Sequence, residues 1–60
     1  MEDKLKEYDE LMGLVEETQA DAEKFFIKDN KAAGTRVRKK MQEVKNAAQN
    51  VRLKISELKK

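Results

Sequence analysis

The chain contains no cysteine, no histidine and no proline. Without cysteine, no disulfide can staple it and no thiolate can hold a metal. Without histidine, the commonest general base, zinc ligand and proton shuttle is missing, so Ser56 has no base to activate it. Carboxylate pairs such as Asp9-Glu10 and Glu16-Glu17 are adjacent in sequence and point to different sides of a helix. Lys39-Lys40 follows no glycine-rich loop, and Asp29 lacks the other oxygen ligands of a calcium loop. No enzyme activity, no cofactor, no metal and no small-molecule substrate are therefore expected. No apolar run approaches the length of a membrane span or a signal segment, so a cytoplasmic chain without a membrane partner is expected.

Glycine occurs only as Gly13 and Gly34, and without proline nothing forces a helix to stop. Most of what remains is Lys, Glu, Ala, Leu, Met, Arg and Gln, all good helix formers. Charged residues make up 43% of the chain, a share compatible with disorder, but the apolar residues are too regularly placed for that. Leu5, Tyr8, Met12, Val15, Gln19, Ala22 and Phe26 recur at alternating steps of three and four, and so do Val37, Met41, Val44, Ala48, Val51, Ile55 and Leu58. Each set forms one stripe on a helix. Between them, Asp29 and Asn30 favour a turn and can cap a helix N-terminus.

The expected fold is all-α: a single helical-hairpin domain over residues 1–60, with helix one about 3–28, a turn about 29–30 and helix two about 31–58. Folding back at that turn pairs Phe26 with Val37, Ala22 with Met41, Val15 with Ala48, Tyr8 with Ile55 and Leu5 with Leu58, always at a residue-number sum of 63. Two unrelated helices, or one long broken coiled coil, are the alternatives. Glu2, Asp9, Glu16 and Glu23 flank the first stripe, while Lys31, Arg38, Lys45, Arg52 and Lys59 flank the second, all seven apart. Antiparallel pairing brings Glu23 to Arg38, Glu16 to Lys45, Asp9 to Arg52 and Glu2 to Lys59. Leu11, Leu14, Phe25, Ile27 and Leu53 fall beside the main stripes. They either cover the hairpin's edges or form the contact of a homodimer or higher homo-oligomer, a four-helix bundle. Gly34 lies in the first turns of helix two, which starts either near Lys31 or near Thr35.

Charge is unevenly distributed. Residues 1–30 carry ten acidic and four basic side chains, and residues 31–60 two acidic and ten basic, so a net charge of +2 conceals halves of −6 and +8. Arg36, Arg38, Lys39 and Lys40 are the densest basic cluster, continued by Lys45, Arg52, Lys54, Lys59 and Lys60. Such a surface suits the repeating negative charge of double-stranded DNA. Arg36, Lys39, Lys40 and Lys54 lie off the flank assigned to ion pairs and are the best placed for phosphates. No helix-turn-helix pattern, zinc finger or aromatic stacking platform is present, so contact would be largely independent of base sequence. The competing reading is a solvated helix face on a helical oligomerisation or protein-interaction module.

At Lys28-Asp29-Asn30-Lys31-Ala32-Ala33-Gly34-Thr35-Arg36-Val37-Arg38-Lys39 the chain resembles the bacterial histone H1-like Hc1 family. The pattern is asparagine-lysine, two small residues, one or two variable positions, then Arg-Val-Arg and an amphipathic basic helix. The similarity runs over roughly residues 22 to 58. It implies a nucleoid-associated protein that binds and compacts DNA, with Arg36, Arg38 and Lys39 at the motif's basic positions and Asn30, Gly34 and Thr35 at its turn and helix start. The long lysine- and alanine-rich tail of the chlamydial members is absent here.

Overall fold

The structure is a computed structural model that describes residues 5–59. The expected start of helix one at Asp3, the Glu2–Lys59 pairing and Lys60 lie outside the described residues. Three helices form, α1 (Lys6–Glu17), α2 (Gln19–Phe26) and α3 (Lys31–Leu58). The first two are segments of one broken helix, the first arm of a hairpin, and α3, the second arm, returns antiparallel along both.

The first helix is interrupted where a single helix is expected, and the cause is Thr18. Its hydroxyl donates to the Val15 carbonyl at 2.7 Å, and its own amide reaches the same oxygen at 3.1 Å. A β-branched residue whose hydroxyl takes a carbonyl three residues back tightens and bends a helix. Beyond the break the ladder resumes, with the Ala22 amide donating to the Thr18 carbonyl at 2.8 Å.

The turn is built by two residues. Asp29 takes a left-handed conformation, φ 59°, which aspartate tolerates better than most side chains. The Asn30 amide then reaches back to the Lys24 carbonyl at 3.0 Å and closes the end of α2. The Asn30 side chain accepts from the Ala33 amide at 3.1 Å, a helix N-cap. Thr35 is therefore inside α3, where its hydroxyl donates to the Lys31 carbonyl at 3.4 Å.

The seam between the arms differs from the expected one. Leu11, Leu14 and Thr18 of the first arm face α3, while Tyr8, Met12, Val15, Gln19 and Phe26 are exposed, Phe26 at 73%. On α3, Ala33 and Ala47 are buried and Val37, Val44, Ala48 and Val51 half-buried, but Met41, Ile55 and Leu58 stay exposed. The first arm is rotated by about one residue, 100°, from the stripe read off the sequence. The reason is steric. The Phe25 ring sits directly over Gly34, where even a methyl group would collide with its Cδ1 and Cε1. Seating Phe25 there turns Phe26 outward, against Phe25 in an edge-to-face contact of 4.9 Å between centroids. The small Ala33 and Ala47 lie at the seam, where Leu11 and Leu14 face α3.

The core is thin. No large side chain is fully buried among the described residues. The radius of gyration is 14.3 Å, against about 10 Å for a compact domain of this length. The two glycines should therefore answer alanine with opposite signs. Gly13→Ala meets nothing within 4 Å and should gain about 1 kcal/mol from helix propensity. Gly34→Ala should lose stability, because overpacking of about 1–3 kcal/mol outweighs that gain. Thermal melts followed by circular dichroism measure both. A Gly34→Ala chain as stable as Gly13→Ala would show that Phe25 is not seated on Gly34.

Candidate nucleic-acid interface

All seven residues expected to touch DNA lie on α3, but the structure divides them differently from the sequence pattern. Arg36 is held by Asp21 through two hydrogen bonds, Nε to Oδ2 at 3.0 Å and Nη2 to Oδ1 at 2.9 Å. This fork geometry is the strongest form of an arginine–carboxylate pair. Lys40 donates to Glu17 at 3.1 Å and to Glu43 at 3.5 Å. Lys54 lies 3.9 Å from Glu57. Of the four cations expected off the ion-pairing flank, Arg36, Lys40 and Lys54 thus have acidic partners, and only Lys39 has none among the described residues.

The expected pairs Glu23–Arg38, Glu16–Lys45 and Asp9–Arg52 do not form, because the rotation of the first arm carries Asp9 and Glu16 away from α3 and presents Glu17 and Asp21 instead. Among the described residues, Arg38, Lys39, Lys45 and Arg52 have no acidic partner and are exposed. Arg52 donates only to the neutral Gln49, at 3.4 Å. Arg38, Lys45 and Arg52 are seven apart and run as one line down α3, each step rising about 10 Å. Lys31 and Lys59 continue the line and are also exposed. Their seven-residue spacing is visible in the sequence, where it points to pairing within the hairpin rather than to a free cationic ridge.

The ion pairs perturb titration in the expected sense. The Arg36 hydrogen bond holds the Asp21 carboxyl below its ordinary value, against a smaller opposing effect of desolvation. The Glu17 hydrogen bond raises Lys40 above its ordinary value. Neither group is buried, so both contributions are screened by solvent and salt.

A family model described as histone H1-like protein Hc1 matches residues 5–60, both arms of the hairpin and not only the basic helix. The chain belongs to the histone H1-like Hc1 family. The Hc1 family is non-enzymatic, and this member is not an enzyme. The match extends beyond the stretch carrying the Arg-Val-Arg motif to the acidic α1, so the charge asymmetry lies within the family's matched region. No curated protein and no solved structure matches the chain. Among the described residues, no helix is long and apolar enough to cross a membrane.

Asp21 yields a pH prediction. A carboxyl lowered in the folded state contributes its stability fully above its ordinary value of 3.8 and loses it as pH falls through the folded-state value. Asp21→Asn should melt earlier than the parent at neutral pH, and the gap should narrow in acid below that range. Melting curves across pH measure this. A gap that stays constant down to the acid limit would mean that the Asp21–Arg36 pair does not persist in solution.

Proposed function

We propose that the protein is a nucleoid-associated, cytoplasmic DNA-binding protein that contacts the phosphate backbone of double-stranded DNA through α3, largely without regard to base sequence, and acts as a homodimer. The observation that carries this is the line of exposed cations without acidic partners on α3 in a chain of the histone H1-like Hc1 family. In this reading Arg38, Lys39, Lys45 and Arg52 make the primary phosphate contacts. Arg36, Lys40 and Lys54 contribute only by leaving their carboxylates, which an anionic polymer of high charge density can induce. The three aromatic side chains lie on the first arm, away from this ridge, so base stacking has no part.

One observation favours a second reading. Arg36 and Lys40 are already held by Asp21 and Glu17, as they would be in a helical oligomerisation or protein-interaction module that needs no nucleic acid. Binding to a random-sequence duplex, followed by fluorescence anisotropy across a salt series, separates the two. Saturable binding should weaken steeply with salt. Arg38→Ala combined with Lys45→Ala should remove two phosphate contacts and reduce the log–log salt slope by about 1.8. Arg36→Ala combined with Lys40→Ala should change the slope less and the melting temperature more. Absence of binding at low salt would leave the interaction-module reading.

A further inference from the structure

The hairpin leaves one broad side uncovered. Tyr8, Met12 and Val15 stand about 100° around α1 from the seam residues Leu11 and Leu14, exposed at 50%, 41% and 40%. On α3, Met41 and Ile55 are likewise exposed. Tyr8 and Ile55 line one apolar groove together with Leu5, Val51 and Leu58, so the stripes of the two arms share a side. Glu17 and Asp21, with their basic partners, lie around the seam in the opposite sense.

We propose that a second copy of this chain covers the apolar side, related by a two-fold axis parallel to the hairpin's long axis, so that α1 of each copy lies on α3 of the other. This rests on the homodimer reading above and specifies its geometry. Area supports a second copy as the occupant. The accessible surface is 5277 Å², whereas a compact monomer of 7.0 kDa exposes about 4,000 Å². The excess is of the order that a stable interface covers on each partner, roughly 800 Å². The hairpin measures 46 × 21 × 12 Å, one helix layer deep. A fold needs two layers around a core, and two such slabs stacked face to face make a four-helix bundle.

Charge selects the arrangement. Asp9 and Glu16 lie beyond the apolar stripe of α1, and Lys45 and Arg52 beyond that of α3, so the uncovered side has one acidic and one basic long edge. None of the four forms an ion pair within the hairpin among the described residues. A two-fold axis across the hairpin would stack α1 on α1, acid against acid and base against base. An axis along the hairpin instead lays each acidic edge on the other copy's basic edge. Like-charge juxtaposition disfavours the first and leaves the second. Rotation about the long axis preserves height, so Asp9 meets Arg52 of the other copy and Glu16 meets Lys45. Two of the three heptad-spaced pairs that the hairpin leaves unmade, Asp9–Arg52 and Glu16–Lys45, are then made between copies. In the dimer Lys45 and Arg52 therefore reach phosphate as Arg36 and Lys40 do, by leaving their carboxylates, and because these rim pairs stay in water an anionic polymer of high charge density can compete for them.

The chain has no cysteine, so introduced thiols report contacts cleanly. Sedimentation equilibrium of the parent comes first. A monomer at every concentration would overturn the homodimer reading and this inference with it. With a dimer in hand, a Met12→Cys chain is mixed with an Ala48→Cys chain and treated with a short thiol crosslinker, and Val15→Cys is treated alone. The expected result is a crosslinked mixed dimer and no Val15→Cys dimer. A crosslinked Val15→Cys dimer without the mixed product would overturn the arrangement while sparing the homodimer. Charge exchange provides a check that leaves the apolar side intact. Asp9→Lys with Glu16→Lys in one chain, and Lys45→Glu with Arg52→Glu in another, should each weaken self-association at least tenfold, and mixing them should restore it. Self-association of either chain as tight as the parent's would count against the paired edges.

Discussion

The seating of Phe25 on Gly34 governs most of what the hairpin does. A helix arm has one rotational freedom about its axis, and a ring that fits only over a residue without a Cβ removes it. With Phe25 placed, Phe26 must point outward; across the break at Thr18, Leu11 and Leu14 face α3, and Tyr8, Met12 and Val15 face away from it. Asp21 and Glu17 arrive opposite Arg36 and Lys40 by the same rotation. The ion pairs follow from the packing; being exposed and screened, they could not have imposed it.

That rotation also decides which charges remain available. The acidic arm neutralises the cations nearest the seam and leaves untouched the line along the outer flank of α3. A chain with a net charge of only +2 can therefore present a basic ridge, because its negative charge is used on the other side of the same helix. Placing these cations on a rigid helix at regular rise suits contact with a regular polyanion.

Two helices packed only on each other bury little, and this hairpin buries alanines rather than large side chains at its seam. Such a core leaves little stability to spare. The apolar side left exposed is the surface on which the proposed second layer would sit, bordered by one acidic and one basic edge. In the proposed dimer, stability, assembly and the placement of the charged edges are joined in one surface.

Much was determined by the sequence alone. The helical periodicity, the turn at Asp29 and Asn30, the absence of any catalytic constellation, the opposed charge of the two halves and the kinship carried by the Asn-Lys and Arg-Val-Arg positions can all be read without coordinates. Each rests on local propensity, composition or motif, which depend on near neighbours in the chain. The rotation of the first arm could not be read this way. That arm carries two apolar stripes, one through Tyr8, Met12 and Val15 and one through Leu11, Leu14 and Phe25, and periodicity ranks them only by length. The choice between them depends on the fit between Phe25 and Gly34, a matter of shape in three dimensions. The pairing of Arg36 and Lys40 and the freedom of Arg38, Lys45 and Arg52 depended on that rotation, so only the tertiary structure decided them.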